Sequence, residues 1–243
     1  MSRETLLNIA GRCVTSDEDL IQLIAERPRG RVQTVNLHHL ALARRSDRFA
    51  EVTSAANYVT ADGWPIVWAL KGLRGPLARV TGSEFVKSLL TDKRLTGLRI
   101  GLLGATKDSG DRFAQKLEGT GVALVFREHG RRQDWDPGTI SSSLEEKGVD
   151  LLLVAVTPPH GDEVGHEIHR AGFSGTVMAV GGAIDMTVLA KKPAPAFVKR
   201  LNAEWLFRLV QEPRRLFARY ILICLPVFIT DVIPTVVKGR SRK

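Results

Sequence analysis

The sequence predicts an α/β fold: a Rossmann-like layered domain on a parallel sheet, followed by a helical appendage. Three observations carry this. Six short β-rich runs recur along the chain, at 31–37, 57–62, 97–104, 121–130, 150–157 and 175–182. Segments with helical spacing lie between them, and apolar strands alternating with helices imply a parallel sheet covered on both faces. After residue 195 the strands stop and the texture becomes helical and basic.

The elements follow in order. SDEDLIQLIAE opens with a Ser–Asp start signal and reads as a helix before the first strand, RVQTVNL. HLALARRSDRFAEV reads as one helix leading to NYVTAD. SEFVKSLLTD precedes GLRIGLLG, DRFAQKLE precedes GVALVFREHG, and ISSSLEEKG precedes DLLLVAVT and then GTVMAVGG. Residues 198–212 form a helix in which Arg200, Glu204, Arg208 and Glu212 stand four apart as an ion-pair ladder, beside a Leu201, Trp205, Leu209 stripe. Pro213 opens a second helix at the position that suits proline. It carries Leu216, Phe217, Tyr220, Ile221 and Cys224 on one side and Arg214, Arg215 and Arg219 on the other. The apolar run 221–237 has 17 residues and is interrupted by Pro226, Asp231 and Pro234. A spanning helix wants about 20 apolar residues, so an interfacial segment is expected. The division is a domain over 1–195 and a basic amphipathic appendage over 196–243.

In open parallel sheets, ligands sit beyond the carboxyl ends of the strands. That rule selects Thr34 and Asn36 at the first strand, Asp62 at the second, Gly104 at the third, Pro158 to Glu163 after the fifth, and Gly181, Gly182 and Asp185 at the sixth. An Asp–Gly pair by itself is most simply a turn. Its place on this rim makes Asp62 a candidate general base.

The formal net charge is +9, and all of it lies in residues 191–243, which hold twelve Lys or Arg against three Asp or Glu. A basic tail on a neutral domain points to an anionic partner. The tail's own competing reading is a solvated basic helix. Two cysteines, Cys13 and Cys224, make no disulfide framework and no zinc spacing. The N-terminus lacks the long apolar core of a signal peptide, so a cytoplasmic protein is expected.

Several chemistries are disfavoured. LLGATKDSGD fits neither GxGxxG nor a Walker loop. His160, Glu163, His166, Glu167 and His169 do not form HExxH, so no metal and no cofactor are expected. No nucleophile elbow appears. Nucleic acid is not expected either, because no recognition signature accompanies the basic tail. A rim carboxylate, nearby Thr and Asn, and an Arg-rich appendage suit group transfer from an anionic donor, with arginines on the departing diphosphate.

TVNLHHLALA (34–43), TADGWPIVWALKGLRGPLARVTGSEFV (60–86), VGGAIDM (180–186), PAP (193–195) and AEWLFRLVQEPRRLFARY (203–220) together resemble the WecG/TagA/CpsF bacterial glycosyltransferases. The resemblance covers nearly the whole chain. It implies a GT-E type fold and metal-free, inverting transfer of a sugar from a UDP donor. It implies a polyprenyl-diphosphate-linked sugar acceptor in cell-surface polysaccharide synthesis. It also implies peripheral attachment at the cytoplasmic face of the bacterial inner membrane, with residues 214–243 on the anionic surface. By position, Asp62 matches the general base and Thr34 and Asn36 its polar companions. Arg79, Gly82 and Ser83 match pocket residues, Asp185 a nucleotide contact, and Arg208, Arg214 and Arg215 the diphosphate arginines. Where the family carries Pro-Lys-Gln-Glu after the fifth strand, this chain reads TPPHGDE (157–163), without the Gln. The donor sugar therefore stays open, as does the oligomeric state, and a non-catalytic scaffold of a polysaccharide assembly complex is the alternative.

Overall fold

The computed structural model describes residues 2–189, 204–211 and 213–240. Six strands form one sheet: β1 (Gly30–Val35), β2 (Tyr58–Ala61), β3 (Arg99–Gly104), β4 (Ala123–Glu128), β5 (Leu151–Ala155) and β6 (Thr176–Ala179). Their order is β2-β1-β6-β5-β3-β4, and every pairing is parallel. All six expected strands are present, each trimmed by a few residues.

The helices are α1 (Ser2–Ala10), α2 (Asp17–Ala25), α3 (Leu37–Arg45), α4 (Asp47–Ser54), α5 (Trp64–Arg74), α6 (Gly82–Ser88), α7 (Lys107–Leu117), α8 (Pro137–Glu146), α9 (His160–Arg170) and α10 (Ala183–Val188). One face of the sheet packs on α2, α6, α7 and α10 through residues such as Leu20, Phe85, Phe113 and Ile184. The other face packs on α8 and α9 through Leu144, Val164 and Ile168. A third cluster, at the β1–β2 end, joins α1, α3 and α5 to the C-terminal helix.

Two local expectations need correction. Residues 39–52 do not form one helix. Ser46 leaves helical geometry at φ −141° and its hydroxyl accepts from Phe49 N–H at 3.2 Å, so it caps α4. The Ser–Asp cap signal outcompetes continuation, because the side chain satisfies an amide that a fresh helix start would otherwise leave bare. The second correction concerns the tail. Helix α11 (Glu204–Gln211) is followed by unbroken helical chain from Pro213 to Arg240. Pro226 and Pro234 do not interrupt it. The turns Ala218–Cys224 and Phe228–Val232 widen to π geometry next to the two prolines, which accommodates the missing amides. Ala218–Val237 is thus long and apolar enough to cross a membrane by length and composition. Part of it packs on the protein: Cys224, Val227, Val232 and Val236 are buried, three of them in the cluster shared with α1, α3 and α5. Gly72 lies in this contact, where a Cβ would sit at an ordinary 3.8 Å from Val236 Cα. Arg44 adds an ion pair to Asp231 at 3.5 Å. The expected Leu201, Trp205, Leu209 stripe and the Arg200–Glu212 ladder fall largely outside the described residues.

Candidate active site

The rim is built by strand exits. Asp62 follows β2 directly, and its backbone N–H donates to Val35 O at 2.8 Å. That bond extends the β1–β2 ladder by one residue and fixes Asp62 beside Asn36. The Asp62 side chain is half-buried and has partners of its own. Thr34, one residue before the end of β1, donates from Oγ1 to Ala179 O at 3.2 Å and so ties β1 to the exit of β6. Asn36 caps α3, with Oδ1 accepting from His38 N–H at 3.0 Å and His39 N–H at 3.3 Å. The cap uses the carbonyl oxygen, so the Asn36 amide nitrogen is the atom that can meet a substrate.

Segment 76–81 lies against the outer side of β2, where Val80 N–H donates to Ala61 O at 3.0 Å. This brings Arg79 next to the Asp62 exit. Arg79 also acts on Asp17, whose carboxyl burial and Glu84 push above the usual carboxylate range while Arg79 pulls it down. Thr81 starts α6 by accepting from Glu84 N–H at 3.1 Å, and its hydroxyl sits 3.1 Å from Ser83 Oγ. Gly82 sets the start of α6 against the β6 exit, where a Cβ would make ordinary contact at 3.5 Å from Val180 Cα. Gly181 turns the chain at φ +54°, and Gly182 leads into α10. In that first turn Asp185 carries a buried Oδ1 with no hydrogen-bond partner among the described residues. Asp62, Thr34, Asn36, Arg79, Gly82, Ser83, Gly181, Gly182 and Asp185 therefore belong to one stretch of rim.

Other sequence candidates lie elsewhere. Gly104 ends β3, three strands from β1 in the sheet order, or about 14 Å at ordinary strand spacing. Its φ of +87° and a hypothetical Cβ 2.7 Å from Val156 Cγ2 explain the glycine by packing. Arg214 is exposed on the tail helix. The side chains of Arg208 and Arg215, like PAP (193–195), are outside the described residues.

The structure also gives roles to residues that the sequence reading placed on the rim or the tail without assigning them chemistry. Asp162, in the divergent TPPHGDE segment, is buried and accepts from Gln33 Nε2 at 2.5 Å. Its other oxygen lies 3.4 Å from His39 Nε2, and its backbone oxygen accepts from the buried Arg31 guanidinium at 3.1 Å. His39 Nδ1 in turn sits 2.9 Å from Asn36 Oδ1. Burial lowers Arg31 to about 10 despite the nearby Asp162. A charged cluster thus underlies β1, assembled from residues far apart in the chain. Arg219 is the second such residue. His38 is pushed down to about 3 by burial and then by the Arg219 guanidinium, which places that cation at the start of α3. Arg219 Nε is buried with no hydrogen-bond partner among the described residues. Its amphipathic phase, shared with Arg214 and Arg215, was the only sequence signal for it. The five residues considered for metal serve elsewhere in part: Glu167 pairs with Arg48 at 2.5 Å and with Arg132, and His160 stands 3.7 Å from Glu163.

The model of the family described as "Glycosyl transferase WecG/TagA/CpsF family" matches residues 5–242. The chain belongs to the WecG/TagA/CpsF glycosyltransferase family. Among similar curated proteins are two N-acetylglucosaminyldiphosphoundecaprenol N-acetyl-beta-D-mannosaminyltransferases of Staphylococcus aureus. The protein of strain MRSA252 is 27% identical over 202 residues, covering 83% of this chain and 78% of its own. That of strain MW2 is 28% identical over 203 residues, with the same coverage of each chain. As a WecG/TagA/CpsF member this protein is a glycosyltransferase of polysaccharide biosynthesis, and its α/β parallel sheet with a long apolar C-terminal helix suits that family.

Proposed function

We propose that this WecG/TagA/CpsF protein transfers a sugar from a UDP donor to a polyprenyl-diphosphate-linked glycan, with inversion and with Asp62 as general base. The observation that carries the reading is the pinning of Asp62 beside Asn36 and Thr34 at adjacent strand exits. Asp62 takes the proton of an acceptor hydroxyl as its oxygen attacks the anomeric carbon. The bond from that carbon to the diphosphate oxygen breaks, UDP leaves, and one displacement inverts the centre. The Asn36 amide and Thr34 orient the reacting groups. Asp185 offers its unmatched oxygen to a donor hydroxyl, alongside Ser83, Gly82, Gly181 and Gly182. Arg79, Arg208, Arg214, Arg215 and Arg219 supply positive charge for diphosphates. The printed names of the Staphylococcus aureus relatives support a lipid-diphosphate acceptor. The appendage, 196–243, holds the enzyme peripherally on the anionic cytoplasmic face. One flank of its helix is committed to protein, while Phe217, Leu222, Leu225 and Ile229 are exposed, an arrangement suited to an interfacial helix.

The test is UDP release from a panel of UDP-sugars with polyprenyl-diphosphate monosaccharides in vesicles, followed by the anomeric configuration of the product. Acceptor-dependent release and an inverted linkage are expected. A retained configuration would exclude single displacement, and silence across the panel would exclude the donor class.

A further inference from the structure

Helix α5 has two apolar faces, and the fold fully buries only one; Val67 and Trp68 on the other pack against the core at one side and stay partly exposed. Ile66, Ala69 and Leu70 are fully buried against the β1–β2 end of the sheet and the tail helix. Trp64, Val67, Trp68 and Lys71 stand at the spacing i, i+3, i+4, i+7, so they form a second stripe. That stripe and Phe228 line an open cleft of about 350 Å³, within the usual range of about 300–1,000 Å³ for small-molecule sites. Phe228 meets Trp64 edge-on with ring centroids 5.2 Å apart and lies 6.2 Å from Trp68. The three rings are all only partly buried. On the tail helix that carries Phe228, Leu222, Leu225 and Ile229 are exposed by 63%, 43% and 53%. Exposed apolar side chains on the helix that carries Phe228 add to the case for a binding face here.

We propose that this cleft binds the first isoprenyl units of the lipid-linked acceptor. The inference rests on the acceptor class proposed above. Position selects this occupant: Asp62 is two residues before Trp64, with only Gly63, at φ +100°, between them. An acceptor whose hydroxyl meets Asp62 has its lipid end leaving past the start of α5. The flat rings suit a branched, unsaturated chain, and the Lys71 stem can lie along it while the ammonium stays in water.

The test uses the full chain and two soluble acceptors with the same sugar diphosphate, one carrying a farnesyl-type chain and one a short alkyl group, without vesicles or detergent. The wild type should favour the prenyl acceptor in kcat/KM by about tenfold or more, the discrimination given by burying roughly two methylene groups. In Trp68→Ala, and separately in Val67→Ser, that ratio should collapse toward one through KM. An unchanged ratio in both variants would overturn the proposal. Farnesyl diphosphate alone, followed by tryptophan emission, separates this from failure of the acceptor class. A saturable blue shift lost in Trp68→Phe supports the cleft even if no acceptor is turned over. No shift, with turnover of the prenyl acceptor intact, refutes the cleft and leaves the transferase reading standing. Vesicle binding lost in the variants while the soluble ratio holds would make the surface a bilayer anchor only, and would likewise refute it.

Discussion

His39 Nε2 lies 3.4 Å from Asp162 Oδ2, and both side chains are almost wholly withdrawn from water. The pair joins α3 to α9 beneath the rim, and His39 reaches on to Asn36. Deleting His39 takes a polar neighbour from the buried Asp162, and a buried polar group left unsatisfied costs about 1–3 kcal/mol. His39→Ala should therefore lower stability by that order in urea unfolding, and His39→Gln, which keeps a polar partner for Asp162, by clearly less. Equal losses would show that the site needs only volume.

Asp62→Asn keeps the backbone bond to Val35 and the shape of the side chain. Loss of a general base costs about 10²–10⁴-fold in rate, so kcat should fall by that much while the melting temperature holds. Near-normal turnover would remove the assigned role.

Asp185→Asn tests the unmatched Oδ1. A buried carboxylate oxygen without a partner is a cost to the unliganded fold, and a charged hydrogen bond to a ligand is worth about 1.5–3 kcal/mol. The variant should be as stable as the wild type or more so, yet show a KM for donor raised roughly 10- to 100-fold. Lower stability with an unchanged KM would make Asp185 structural.

Acid should destabilise the protein through its neutral histidines. Burial, followed by neighbouring arginines, lowers His38 to about 3 and His166 to about 4 in the fold. The unfolded chain titrates near 6.5. Between these values the unfolded state binds more protons, so stability is full above about 6.5 and is lost as pH falls toward 4 and below. Discounted for partial exposure, each histidine contributes on the order of 1 kcal/mol, or about 2–4 °C in a chain of this size. His166→Gln should flatten the melting-temperature profile between pH 6.5 and 4; an unaltered slope would assign the acid loss to other groups.

The six strands were legible in the residues alone, since β-rich apolar runs bounded by turn residues leave little local choice. So were the residues that end them, because the strand exits are punctuated by Asn36, Asp62, Gly104 and the Gly181–Gly182 pair. Motif resemblance supplied the family. Which of those exits are neighbours came from the folded arrangement. Placing β1 between β2 and β6 joins Thr34 and Asn36 to Asp62 and to the β6 exit, and sends Gly104 across the sheet. Strand order is set by packing both faces at once, and no local pattern encodes it. The same holds for Arg31, Gln33, His39 and Asp162, whose burial is tolerable only because they meet each other. It holds for Arg219 too: the helical phase offered three arginines on one face, and docking of the tail on α3 and α5 brought this one to the rim.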